Sequence, residues 1–250
     1  MTNEFILNTA FRQSAVDMGC RPEDLVAGRD VIVVSRADSG AKKYLKLPFL
    51  FSALSYGNGV VISASPSLIR EAEELLSRFP GYHIFEPPAI DEINRRLAAY
   101  GKKIKYTSEY FLPDLNILRP LDCGYMIKIL HPADFTELYT PQWSNALCKN
   151  RKELDVLGAG AYDGGRLIGL AGCSADCSGM WQIGIDVLPE YRSHGIGSAL
   201  TSRLTCEIIK RGKVPFYCAS WSNLKSVKNA LKCGFRPAWI EMSAGTPEQL

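Results

Sequence analysis

Three absences narrow the field before any motif is considered. The 250 residues contain no Cys-x-x-Cys pair and only three histidines. Cys173 and Cys177 stand four apart, but no second pair or suitably spaced histidine follows, so no metal site is expected. The other six cysteines, Cys20, Cys123, Cys148, Cys206, Cys218 and Cys233, are scattered and read as small apolar residues in reduced form. The apolar runs are short: residues 47–54 form one of the longest, far below what a bilayer requires. The N-terminus carries Glu4 and Asp17 and no basic stretch ahead of an apolar one, so no signal peptide is expected. The location expected is cytoplasmic, with no membrane partner. Charge of one sign is scarce as well. The net charge is +3, and the nearest approach to a basic stripe is Lys102, Lys103 and Lys105, which reads as a solvated strand edge. Nucleic acid is not an expected partner.

With 46% hydrophobic and 22% charged residues, the chain is an ordinary globular one, long enough for one large core or two small ones. The first 30 residues read as helical at best, with a turn into a short helix over 21–25. Strands are predicted over 30–35, 57–63, 82–85 and 103–110. Helices are predicted over 67–79, where Leu68, Ala72, Leu75 and Leu76 share a face, and from Pro87 to about Gly101. This is a small α/β unit with no phosphate loop and no nucleophile motif. Residues 113–120 read as a connector, which places domains at 1–120 and 121–250.

The second half is more regular. A strand is predicted over 124–129 and short helices over 132–139 and 144–154. Strands over 158–162 and 166–173 flank Asp163-Gly164-Gly165, a strong hairpin signal. A third strand covers 180–187, and the three are expected to be antiparallel. A long helix follows over about 194–210, with Ile196, Leu200, Leu204 and Ile208 on one face. A strand over 214–219, a helix over 223–233 stopped by Gly234, and a strand over 235–242 complete a mixed α/β (α+β) sheet with helices packed on it.

The chemistry is expected where the 180–187 strand meets the long helix. The first turn of a helix carries unpaired N–H groups and the positive end of the dipole, and a pyrophosphate can sit there without a metal. Gly195 and Gly197 let a ligand approach the backbone; Arg192 adds charge and Ser198 a hydroxyl. A lone Gly-x-Gly would equally suit a tight strand-to-helix junction, and neither a Rossmann fingerprint nor a Walker-type Gly-Lys-Ser/Thr is present.

Arg192-Ser193-His194-Gly195-Ile196-Gly197 resembles the R/Q-x-x-G-x-G/A signature of the GCN5-related N-acetyltransferase (GNAT) family. The lead-in from Val187 to Arg192 is similar too, as are Asn223-x-x-Ser226 and Lys232-Cys233-Gly234-Phe235 downstream. The resemblance covers about 124–245. It implies a GNAT acyl-CoA N-acyltransferase fold in the C-terminal half and acetyl-CoA as acyl donor, with no metal. The acceptor implied is an amine on a small molecule or peptide, acylated by direct attack. The N-terminal half resembles the extra α/β unit of extended bacterial members and is itself open to reading as a degenerate transferase-like half. Homodimers are common among such domains.

The resemblance also implies roles. Backbone groups around Ile185 and Val187 would pair with the pantetheine arm. N–H groups of Arg192, Ser193, His194, Gly195, Ile196, Gly197 and Ser198 would hold the pyrophosphate. Asn223 and Ser226 would frame the pantetheine end, although Asn223 also reads as a plain helix cap with Ser226 in the first turn. Gln182 and Asp186 share one face of a strand with Gly184. Asp186 is the carboxylate nearest the expected thioester, as a base, as an orienting group for the acceptor ammonium, or as a polar surface residue. One departure stands out. Many members carry a tyrosine acid seven residues after the asparagine, where this chain has Ala230. That favours the rival reading of a catalytically silent acyl-CoA sensor. Trp143, Trp181 and Trp221 either line the acceptor cleft or pack in the core.

Overall fold

The computed structural model describes residues 1–246. The chain folds into two compact units. Among the described residues, one comprises residues 10–110, 220–222 and 238–246; the other comprises residues 1–9, 111–219 and 223–237. Helix α1 (Asn3–Met18) contributes residues to both.

In the first unit β1 (Val31–Val34) pairs in parallel with β3 (Val61–Ala64), which pairs antiparallel with β2 (Phe51–Ser55). β2 then pairs antiparallel with the end of the chain, Ile240 opposite Ser55 and Ser243 opposite Ser52. Helices α2 (Ile69–Arg78) and α3 (Pro87–Leu97) supply Ala72, Leu75, Leu76, Ala89, Ile93 and Leu97 to a core shared with Phe51, Ala53, Ile62 and Met242. Two expectations change here. Residues 82–85, expected as a strand, lie in a 3-10 turn over Gly81–Phe85, started by Pro80 and Gly81, the latter at φ +59°. β2 is a strand that the sequence does not announce. All five of its residues are buried, so it lacks the alternation that marks a half-buried strand. β4 (Lys103–Pro113) follows, and its last three residues belong to the second unit.

In the second unit the strand order is β5-β6-β7-β8-β9, from β5 (Met126–Leu130), β6 (Asp155–Asp163), β7 (Arg166–Ser174), β8 (Met180–Val187) and β9 (Val214–Ser220). β6, β7 and β8 are antiparallel, as expected, and β5 joins them antiparallel to β6. Gly164 and Gly165 both have positive φ, which makes the two-residue turn between β6 and β7. Helix α4 (Ile196–Lys210) lays Ile196, Leu200, Leu204 and Ile208, all fully or nearly fully buried, on this sheet. α5 (Leu224–Lys232) follows, and Gly234, at φ +88°, ends it before β10 (Phe235–Gly245). Between β5 and β6 the chain makes 3-10 turns over Pro132–Leu138, Pro141–Trp143 and Lys149–Leu154; residues 144–148, expected as helix, are irregular.

Asp155, the first residue of β6, gives this unit a pH dependence. It is 2% exposed, and burial pushes its carboxyl up to about 6, against the opposing pull of the Cys148 N–H it accepts at 2.9 Å. A carboxyl raised above its unfolded value favours the folded state most below the unfolded pKa, and that contribution is lost as pH rises through about 6. Asp155→Asn keeps an acceptor for Cys148 and removes the titration. It is expected to gain up to roughly 3 kcal/mol on the parent chain between about pH 4 and about pH 7, read from urea unfolding at both ends. A constant difference across that range would contradict this.

Among the described residues no helix is long and apolar enough to cross a membrane, and no group of three or more His, Cys, Asp or Glu could hold a metal ion.

Candidate active site

β8 is the hinge of the site because its two neighbours treat it differently. β7 pairs with it along its length, from Ser174 opposite Gln182 to Gly169 opposite Val187. β9 runs parallel to it for only four pairs, Met180 opposite Val214 through Ile183 opposite Tyr217. Beyond that both strands continue without a partner in each other, so the edge of β8 from Gly184 to Val187 is released from β9. Backbone amides released in this way must find other partners.

The two faces of β8 have different neighbours. Ile185 and Val187 lie toward α4: a Cβ built on Gly197 would come 3.9 and 3.8 Å from their side chains. On the other face, Gly184 stands opposite Gly172 of β7, and the two glycines make a bare patch. The backbone of Asn145 and Ala146 lies across it so closely that a Cβ on Gly184 would overlap the Asn145 carbonyl, and one on Gly172 the Ala146 carbonyl. The adjoining Asp186 secures this strap. One of its oxygens accepts from the backbone N–H groups of Asn145 and Ala146, both at 2.9 Å, and the other from Asn145 Nδ2 at 2.6 Å. Trp143 and Leu147, at the ends of the strap, are buried in the core. Gln182 lies on the same face and donates from Nε2 to Cys218 Sγ at 3.0 Å.

At its C-terminal end β8 turns through Pro189–Tyr191 into the Arg192–Gly197 loop. The turn is tied to the β6–β7 hairpin, since Tyr191 donates to Asp163 at 2.9 Å and Arg166 pairs with Glu190 at 2.8 Å. Ser193 and Gly195 both take positive φ, +67° and +80°. Ser193 is the only non-glycine residue among those described to do so, a conformation costing a β-carbon residue about 1–2 kcal/mol. Gly195 caps α4, whose first helical bond runs from Ala199 N to Gly195 O at 3.0 Å. The N–H groups of Ile196, Gly197 and Ser198 precede that bond and have no helical acceptor. Left-handed residues next to a helix start turn successive N–H groups to one side, an anion-binding concavity. Arg192 and His194 are exposed; Arg192 Nε donates to the Val187 carbonyl at 3.0 Å, which bends the guanidinium back over the end of β8. The Ser198 hydroxyl does not face this loop. Ser198 is buried and donates to Asn229 Oδ1 at 3.0 Å, so what it has for an anion is its backbone N–H.

α5 forms the opposite wall. Asn223 caps it, its side chain accepting from Ser226 N at 3.2 Å. Ser226 is half-buried, and its hydroxyl lies 2.8 Å from that of Tyr217, the last residue of β9 to pair with β8. Burial raises the Tyr217 phenol, opposed by its hydrogen bond with Ser226 and by the nearby Asn229 amide. Ala230, where the family resemblance implies a tyrosine, is fully buried. A Cβ on Gly197 would stand 3.6 Å from Asn229 Oδ1, so α4, α5 and β8 converge at that glycine.

The residues marked in the sequence thus meet at one place: Ile185 and Val187 on β8, residues 192–198 at the end of α4, and Asn223 and Ser226 on α5. Gln182 and Asp186 lie on the opposite face of β8, against the strap. Tyr217 as a partner of Ser226, and Asn229, were not read from the sequence. The signal for Asn229 was a polar residue every three positions from the cap along α5, Asn223, Ser226 and Asn229, one helical stripe; Tyr217 on β9 had none.

Comparison with known proteins agrees with this architecture. A solved structure described as a GCN5-related N-acetyltransferase-like protein from Streptococcus suis 89/1591 is 19% identical, with a TM-score of 0.50 over 96% of this chain and 100% of that one. A GNAT-family acetyltransferase from Colwellia psychrerythraea is 15% identical (TM-score 0.46, over 61% of this chain and 62% of that one), and a GCN5-related N-acetyltransferase from Kribbella flavida is 14% identical (TM-score 0.47, over 60% and 62%). This chain therefore spans less than two thirds of the length of the last two. No match was found among curated proteins. The family model described as GNAT acetyltransferase matches residues 89–238, more than half of the sequence and every element of the site described above, and the chain belongs to that family.

Proposed function

We propose that the protein is an N-acetyltransferase that moves an acetyl group from acetyl-CoA to an amine of a small molecule or peptide. The observation that carries the reading is the four-pair limit of β8 and β9: the sheet opens after Ile183 and Tyr217, and the Arg192–Gly197 loop stands at the far end of the same strand. An open strand edge followed by a helix N-terminus fits an amide-bearing chain that ends in phosphates. Acetyl-CoA, when bound, supplies a thioester whose acyl carbon is open to a neutral amine.

The roles follow from position. Backbone groups of Ile185 and Val187 would bind the pantetheine amides, and an N–H near Val187 would polarise the thioester carbonyl. The N–H groups from Arg192 to Ser198 would hold the diphosphate, with Arg192 beside them. Asp186 is committed on both oxygens to the strap, which makes it a positioning group for the acceptor side rather than an open base. Water would then take the proton from the acceptor amine.

The test is a calorimetric titration with acetyl-CoA. The protein is expected to bind in the micromolar range. Arg192→Glu places a carboxylate against the diphosphate and is expected to weaken binding by at least about tenfold. Equal binding by the two proteins, or none by a folded parent chain, would sink the proposal. Binding without transfer to any amine in a thiol-release screen would assign the protein to the silent sensors, the reading that Ala230 favours.

A further inference from the structure

The first unit holds a cavity that the transferase site does not use. It has a volume of about 520 Å³ and lies between α1 and the segment that follows β1. Pockets that take small molecules run from about 300 to 1,000 Å³. One wall is a single face of α1, carrying Arg12, Ala15 and Val16 and continued by Gly19 and Cys20; the other is Arg36, Ala37 and Asp38. The two walls are pinned at both ends. A Cβ on Gly19 would stand 3.9 Å from the Val34 carbonyl oxygen and 4.0 Å from Arg36 N, and one on Gly40 would stand 3.5 Å from Val16 Cγ1. Gln13 Nε2 donates to the Gly40 carbonyl at 3.0 Å, and the Lys42 N–H donates to Asp17 at 3.0 Å. The space between the walls is therefore formed before any ligand arrives, which spares a ligand the cost of ordering a loop.

The lining divides by polarity. Ala15 is buried and Val16, Cys20 and Pro22 are half-buried, which makes an apolar floor. Burial, and after it the Asp24 carboxylate, push the Cys20 thiol up to about 12, so the thiol adds no charge to that floor. Arg12, Arg36 and Asp38 are exposed at the rim. Most arginines of this unit are matched by carboxylates: Arg21 pairs with Asp24, Arg70 with Glu74, and Arg78, Arg95 and Arg96 with Glu92. Arg12 and Arg36 have no ion pair or hydrogen bond among the described residues. Asp38 turns Oδ1 back into its own loop, where it accepts from Gly40 N at 2.7 Å. Two guanidiniums against one carboxylate leave the rim one positive charge in excess, which suits a monoanion better than a phosphate dianion. The fork of a guanidinium matches a carboxylate through two parallel hydrogen bonds. We infer that this cavity binds a small monocarboxylate, its apolar body on the floor and its carboxylate on Arg12 and Arg36. The site is independent of the acetyl-transfer reading and stands whether or not acetyl-CoA binds.

The test is a titration of the whole chain with 4-phenylbutanoate in low salt, followed by calorimetry and by saturation-transfer NMR of the ligand. The neutral alcohol of the same shape, 4-phenylbutanol, serves as control. The acid is expected to bind with a Kd of about 1 mM or below, an ordinary efficiency for so few atoms. The alcohol is expected to bind at least about tenfold more weakly, since it cannot use the guanidiniums. Arg12→Gln with Arg36→Gln is expected to weaken the acid by about ten- to a hundredfold and to bring it level with the alcohol. Both side chains are exposed and unpaired, so the urea midpoint of the double variant should match that of the parent chain. No binding of the acid to the parent chain overturns the inference. So does acid binding that survives the double variant, which would place the ligand elsewhere on the chain, and so does equal binding of acid and alcohol to the parent chain, which would reduce the cavity to an apolar dent.

Discussion

Lys42→Met is expected to cost the N-terminal unit about 3–5 kcal/mol, the range for removing one partner of a buried ion pair. Lys42 and Asp17 form a salt bridge whose two side chains are each 3% exposed. The Lys42 backbone N–H reaches the same carboxylate at 3.0 Å and Gln13 Nε2 at 2.9 Å, so Asp17 anchors the segment around residue 42 to α1. A second carboxylate lies in the field of the same cation. Glu241 is buried, which raises its carboxyl; Lys42 pulls it down and Asp17 pushes it up. The ammonium also sits 5.9 Å from the centre of the Trp239 ring. Methionine fills much of the volume and leaves two buried acids with no cation between them. The pH dependence follows from Glu241. A carboxyl raised on folding contributes stability below its unfolded pKa, about 4.3, and loses it as pH rises through the folded value. Without Lys42 that folded value moves higher, so the defect is expected to be largest near neutrality and to shrink on acidification. Asp17→Asn in the Lys42→Met background removes the repulsion and is expected to recover part of the loss. Urea midpoints for the two single variants and the double variant decide it, and a cost below about 1 kcal/mol for Lys42→Met would show that the pair is solvated in solution.

That cluster was invisible in the sequence, and the contrast with what was visible has physical reasons. Period and turn chemistry are local. The four-residue spacing from Ile196 to Ile208 and the paired glycines at 164 and 165 specified α4 and the β6–β7 hairpin with no knowledge of the rest. The Arg192–Gly197 loop was legible because a strand, a tight turn and a helix start follow one another along the chain. Contacts between distant segments leave no such trace. Asp17 and Lys42 are ordinary charged residues until a fold excludes water from both. β2 could not be separated from any other short apolar run, because central burial erases the polar half of its pattern. Ser198 shows the same limit on a single side chain. Its place beside the loop suggested a hydroxyl for phosphate, but Asn229, 31 residues on, takes that hydroxyl away. The Asp186 face carried three readings in the sequence, and the strap that its carboxylate holds comes from 41 residues earlier.

Gly184→Ala is expected to remove that strap, and with it at least about 3 kcal/mol of stability. A single methyl group is a small addition, and on an exposed strand it would favour the folded chain, since alanine loses less backbone freedom than glycine. Here there is no room for it. The new Cβ would occupy the space of the Asn145 carbonyl group, and the atoms in its way are backbone, which cannot rotate aside as a side chain can. Either β8 deforms or residues 145 and 146 lift off. If they lift, the Asp186 carboxylate loses three N–H donors together and Trp143 and Leu147 are drawn from the core. Asp186→Ala removes the same three hydrogen bonds without the overlap, and water can replace them at the exposed Asn145. It is expected to cost less, about 1–3 kcal/mol. The order of the two effects is the test: overlap with backbone exceeds loss of the carboxylate. Hydrogen exchange at Asn145 and Ala146 should rise in both variants, while urea midpoints fall further for Gly184→Ala. A Gly184→Ala protein as stable as its parent, with those amides still protected, would mean that the strap does not rest on the glycine pair.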